Sequence, residues 1–126
     1  IKLELHNEQI IDNDKMHIDI FLPEFNIAIE VDGPFHFKNI FGEEELVRVI
    51  QRDYVKNWLL LSAGYFVIRA QFPKSYVSDG VLRDFSKKML DLIQYINITA
   101  IDEPEVFEKI ESRVFYLDAS KRGKND

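Results

Sequence analysis

The chain has 126 residues, a net charge of −6 and no cysteine, with 46% hydrophobic and 30% charged residues. That length predicts one domain with one hydrophobic core, and the composition excludes wholesale disorder. Disulfides, thiolate zinc sites and cysteine nucleophiles are excluded, no apolar run approaches the ~18 residues of a membrane span, and so acidic a chain is unsuited to coating nucleic acid non-specifically.

An acidic balance still admits a nuclease whose carboxylates gather at a metal site. The chain opens at Ile1 with charged residues through His6 and no signal-peptide core, so it is expected to be a fragment of a larger cytoplasmic protein. Residues 1–118 are expected to form one catalytic domain and residues 119–126, including Lys121, Arg122 and Lys124, a disordered tail.

Residues 2–11 read as extended, and Asp12-Asn13-Asp14-Lys15 as a polar turn. Met16 to Leu22 alternates apolar and polar residues with the period of a strand. Pro23 to Asn26 forms a connection, and Ile27 to Val31 alternates again, so the two runs predict a hairpin. Gly33-Pro34 ends the second strand, and a loop carries Phe35, His36 and Phe37. Glu43 to Ser62 predicts a long helix, with three glutamates at the positive end of its dipole and Gly64 past its end. Tyr65 to Arg69 reads as a short buried strand. A second helix is predicted from Ser78 or Asp79 to about Ile96, its stripe built from Val81, Leu82, Phe85, Met89, Leu92, Ile93 and Ile96. Pro104 suits the first turn of a last helix reaching about Leu117.

The hairpin register has a chemical consequence. If Leu22 faces Ile27, Asp19 lies opposite Glu30 and His17 opposite Asp32, and opposed residues share a face. His17, Asp19, Glu30 and Asp32 then occupy one face, and Ile18, Ile20, Ile29 and Val31 the other. Crowded carboxylates repel one another. A divalent cation bound by Asp19, Glu30 and Asp32 relieves that repulsion; a solvated polar face is the alternative. His36, four residues after Asp32, is placed to move a proton, or it simply packs on Phe35 or Phe37. On the long helix Leu46, Ile50, Tyr54, Trp58 and Leu61 define an apolar face, with Asn57 inside it and Asp53 at its edge. Asp53 either reaches the acidic site and orients its histidine or makes a structural hydrogen bond. Arg48, Arg52 and Lys56 recur every four residues, as a row that tracks phosphates or as solvated charge.

Asp19 followed by Glu30-Val31-Asp32 resembles the PD-(D/E)XK nuclease core. The resemblance implies that Asp19 is the first Mg²⁺-binding acid and Glu30 the second. It departs from the pattern at Asp32, where the family usually has Lys, and the literal Pro-Asp dipeptide is absent. The wider set Ile18-Asp19-Ile20-Phe21-Leu22-Pro23, Ile29-Glu30-Val31-Asp32-Gly33, His36, Arg52-Asp53, Lys56 and Gly64 to Arg69 resembles the very-short-patch-repair-like nucleases, which include phage homing endonucleases with a Glu, Asp, His, Asp signature. That branch implies Asp19 as a metal ligand, His36 as the general acid/base and Asp53 as its orienting partner. Its upstream helical Glu has no counterpart here, Glu4 and Glu8 being poor substitutes. Ile18-Asp19-Ile20, Leu22-Pro23 and Ile29 to Phe37 also resemble the RAP domain, which implies an RNA-binding or RNA-processing module.

The expected fold is α/β: a mixed central sheet with a β-hairpin and flanking helices, a nuclease-like core, and the long helix packed on the apolar face. The expected function is that of an Mg²⁺-dependent endodeoxyribonuclease, with Mn²⁺ as a substitute, acting on double-stranded DNA in a homing or repair role. The catalytic set is Asp19, Glu30, Asp32, His36 and Asp53, and Arg48, Arg52 and Lys56 hold the nucleic acid. A DNA-reading domain in the same full-length chain and a phage or microbial host cell fit this role, and no membrane is involved. A nuclease fold kept only as an interaction domain is the remaining alternative.

Overall fold

The computed structural model describes residues 6–11, 16–37 and 41–119. Among these residues five strands form one mixed sheet in chain order: β1 (His6–Ile11), β2 (Met16–Leu22), β3 (Ile27–Asp32), β4 (Phe66–Gln71) and β5 (Val114–Asp118). The pairs β1–β2 and β2–β3 are antiparallel, and β3–β4 and β4–β5 are parallel. Parallel neighbours need a crossover. Helix α1 (Glu43–Ser62) supplies the first and helix α2 (Asp79–Asp102) most of the second. Among the described residues no helix is long and apolar enough to cross a membrane.

The hairpin turn follows its residue chemistry. The Phe25 N–H donates to the Leu22 carbonyl at 3.1 Å, and Asn26 takes a φ of +57°, which a short polar side chain tolerates. Asn26 also bonds the Gly64 carbonyl through its side-chain amide, and its own carbonyl accepts the Phe66 N–H, tying the hairpin to the start of β4. Gly64, with a φ of +94°, ends α1 in the left-handed conformation that glycine adopts without strain. Ser78 caps α2 by accepting the Val81 N–H, and that helix continues past Ile96 to Asp102.

Both faces of the central strands are covered. On one side Leu22, Ile27, Ile29, Ile68 and Ala70 pack against Ile93 and Ile96 of α2. On the other, Ile18, Ala28 and Val67 pack against Leu60 and Leu61 of α1. Side chains alternate along β3, so Glu30 lies on the side of Ala28 and therefore of α1. This corrects the expected packing: α1 covers the acidic face, and α2 takes the aliphatic one. Ile50, Tyr54 and Trp58 are exposed, while Asp53, Lys56, Asn57, Leu60 and Leu61 turn inward. An inward row that polar fits only a face carrying Glu30, Asp32 and Arg69; the continuous stripe of α2 fits the isoleucines.

Two further expectations are corrected. Ile18 joins the α1 side although Ile20 and Ile29 pack on the α2 side, because β2 leaves β3 between Ile18 and Ile20. The predicted last helix is absent: Pro104–Phe107 and Ile110–Arg113 are short 3₁₀ turns, and Val114–Asp118 is a strand. As a strand it pairs the open edge of β4 and sends Val114 toward the α1 side and Phe115 toward the α2 side. Ala119, assigned above to the tail, is buried and donates its N–H to the Gln71 carbonyl. The polar turn at 12–15 and the tail residues Lys121, Arg122 and Lys124 lie outside the described residues.

Candidate active site

Leu22 faces Ile27, as the alternation predicts, but the ladder between β2 and β3 reaches only Ile20 and Ile29. One residue further on, carboxylates take the place of backbone carbonyls. The Asp19 N–H donates to Glu30 Oε2 at 2.9 Å, and the Val31 N–H donates to Asp19 Oδ2 at 2.8 Å. Charge-assisted bonds of this kind are strong enough to hold two acids in a parted sheet. Asp19 is exposed. Glu30 is only 3% exposed and forms an ion pair through Oε1 with the Lys56 ammonium of α1. Burial pushes the Glu30 carboxyl above its ordinary value of 4.5, against the pull of Lys56 and of the Asp19 N–H.

A second group lies alongside. The 3₁₀ turn Pro34–His36 folds the chain back after β3, and His36 Nδ1 comes 2.6 Å from Asp53 Oδ2 and 3.8 Å from Asp32 Oδ1. Arg69 of β4 lies between these acids and is 2% exposed. It donates from Nη1 to Asp32 Oδ1 at 2.9 Å, from Nε to Asn57 Oδ1 at 2.8 Å and from Nη2 to the Asp53 carbonyl at 3.0 Å. Burial raises the Asp32 carboxyl, while Arg69 and His36 draw it down. The group floors a cleft of about 230 Å³ whose rim includes Phe37, Tyr54 and Tyr116. A larger cavity of about 380 Å³ on the α2 side is lined almost wholly by aliphatic and aromatic groups and holds no ionisable side chain.

The expected residues therefore divide. Asp19 and Glu30 interlock; Asp32 turns to Arg69 and His36, and Asp53 reaches His36 from α1. His17 is exposed, with Ile10 of β1 as its Cα partner, and the imidazole beside Asp32 is that of His36. The row of cations also divides. Arg48 pairs with Glu45 at 3.0 Å on the surface, Arg52 is exposed, and Lys56 points inward to Glu30. Eight residues of helix rotate Lys56 by roughly 80° from Arg48, enough to carry it off the outer face. Arg69 is the residue that sequence reasoning missed as part of the site. Its signal was a cation inside the apolar run Tyr65-Phe66-Val67-Ile68, since a buried charge must be paired.

Asp19 and Glu30 carry the hard oxygen atoms that Mg²⁺ takes, although one Glu30 oxygen already accepts the Asp19 N–H and the other pairs with Lys56. Asp32, His36 and Asp53 form a group that could hold a metal ion, each offering one ligand atom that lies within 4.8 Å of the others, but with the Arg69 guanidinium among them. No family model, no curated protein and no solved structure matches the chain significantly.

Proposed function

We propose that the chain is a metal-dependent nuclease that hydrolyses phosphodiester bonds of DNA where β2 and β3 part. The observation that carries this reading is the placement of the interlocked acids Asp19 and Glu30 beside the 2.6 Å His36–Asp53 contact, on one side of one sheet. Asp19 and Glu30 would hold Mg²⁺, or Mn²⁺ in its place, and the bound ion supplies Lewis-acid polarisation of the phosphate. In the tautomer that donates from Nδ1 to Asp53, Nε2 of His36 is the nitrogen that can accept a proton. His36 is thus poised to take a proton from water, and Asp53 fixes the ring and its tautomer. Asp32 acts with Arg69 to hold the floor of the cleft. Arg48 and Arg52 lie on the outer side of α1, where phosphates of bound DNA can reach them.

One observation favours a second reading. Glu30 and Asp32 already face Lys56 and Arg69, so most of the acidic charge is balanced from within. A fold kept for interaction alone would need no more. Nicking of supercoiled plasmid with Mg²⁺ and with chelator, run beside an RNA substrate, separates the readings. Wild type is expected to nick DNA only with the metal, and Asp19→Asn to lose both cleavage and Mn²⁺ binding by calorimetry. Preferential cleavage of RNA supports the RAP-like alternative, and neither activity nor metal binding supports the interaction domain.

A further inference from the structure

We infer that Arg69 is the resident cation of the Asp32–His36–Asp53 group and stands in place of a second metal ion, so that this face takes one divalent ion and not two. The inference rests on the proposed function only for the first ion, at Asp19 and Glu30.

The three side chains form a mixed nitrogen and oxygen set, close enough for one ion to touch all of them. Taken alone, such a set suits Mn²⁺ or Zn²⁺. Arg69 changes that. Nη1 lies 2.9 Å from Asp32 Oδ1 and 3.5 Å from Asp53 Oδ1, so one nitrogen serves both acids. The guanidinium cannot swing aside, because Nε is hydrogen-bonded to Asn57 and Nη2 to the Asp53 carbonyl, both on α1, while its backbone is fixed opposite Glu30 in the β3–β4 ladder. An entering ion would meet a positive charge that is buried, permanent and held by three hydrogen bonds. Displacing it would strand a charge away from water.

The consequence concerns His36. With Arg69 neutralising the acids, its Nδ1 stays on Asp53 and is not spent on a metal. The ring keeps a nitrogen for proton transfer. Arg69 is therefore a positioning residue, acting through Asp32, Asp53 and His36.

Calorimetric titration of the full chain with Mn²⁺ tests this by stoichiometry, which a purely structural role would not alter. Wild type is expected to bind one ion, and Arg69→Met to bind one more than wild type. The added site should vanish in the double variant Arg69→Met/His36→Ala and stay closed in Arg69→Lys, which keeps the charge. If Arg69→Met is unfolded without metal, thermal unfolding decides: Mn²⁺ should restore a cooperative transition in Arg69→Met and not in the double variant. Two ions in wild type overturn the inference, as does an Arg69→Met protein that neither gains an ion nor is refolded by one. No ion in wild type with one gained in Arg69→Met upholds the inference and overturns the metal part of the proposed function.

Discussion

Asp53→Asn keeps the size of the side chain and removes the charge that faces His36 at 2.6 Å and, more distantly, Arg69 at 3.5 Å. The contact it alters is 2.6 Å long and joins groups that are 26% and 25% exposed. Hydrogen bonds to charged groups contribute about 1.5–3 kcal/mol. At about 1.36 kcal/mol per tenfold, complete loss slows a step that depends on the bond by roughly 10- to 150-fold. Solvent screening at partial exposure favours the lower part of that range, roughly 10- to 40-fold. The backbone should stay in place, because the Asp53 carbonyl is held at 3.0 Å by Arg69 independently of the side chain. The assay is single-turnover nicking of plasmid DNA with Mg²⁺ for wild type, Asp53→Asn, His36→Ala and the double variant. His36→Ala alone should lose about 10²-fold or more. If Asp53 works through His36, the double variant is no slower than His36→Ala. Losses that multiply would refute the reasoning and give Asp53 a role of its own.

Glu30 carries a pH prediction. Burial raises its carboxyl above 4.5, so the stability it contributes is full below pH 4.5 and is lost as pH rises through the raised value. Wild type should lose stability relative to Glu30→Gln across that window in urea titrations; parallel pH curves would mean that Lys56 cancels the effect of burial. For DNA binding, Arg48→Ala and Arg52→Ala should each lower the slope of log K against log salt by about 0.9 per lost phosphate contact. Lys56→Ala should leave that slope unchanged because its ammonium is tied to Glu30, and an equal change in all three would restore a continuous phosphate row. Ile68→Ala, at a fully buried position between the sheet and α2, should destabilise the fold by about 2–5 kcal/mol in urea unfolding; a loss well under 1 kcal/mol would mean that the core collapses around the gap.

Local alternation was enough to place β2, β3 and the Leu22–Ile27 register, because both strands carry period-2 patterns about a turn that Pro23 and Asn26 specify. The bounds of α1 were equally legible from its acidic start and from Gly64. Val114 to Asp118 was not, since its run of apolar residues satisfies either period and the open edge of β4 decides the matter. The rotation of α1 was hidden for a related reason. Its more apolar side looks like the core side in isolation, yet Ile50, Tyr54 and Trp58 face outward. What turns the helix is the opposing face, where Glu30, Asp32 and Arg69 sit on strands distant in sequence and need Lys56, Asp53 and Asn57 as partners. The sequence alone determined which acids and which histidine were available and which strands carried them. Only the tertiary structure decided that Lys56 pairs with Glu30 and that Arg69 separates Asp32 from Asp53, because a buried charge takes its partner from whatever the packing brings within reach.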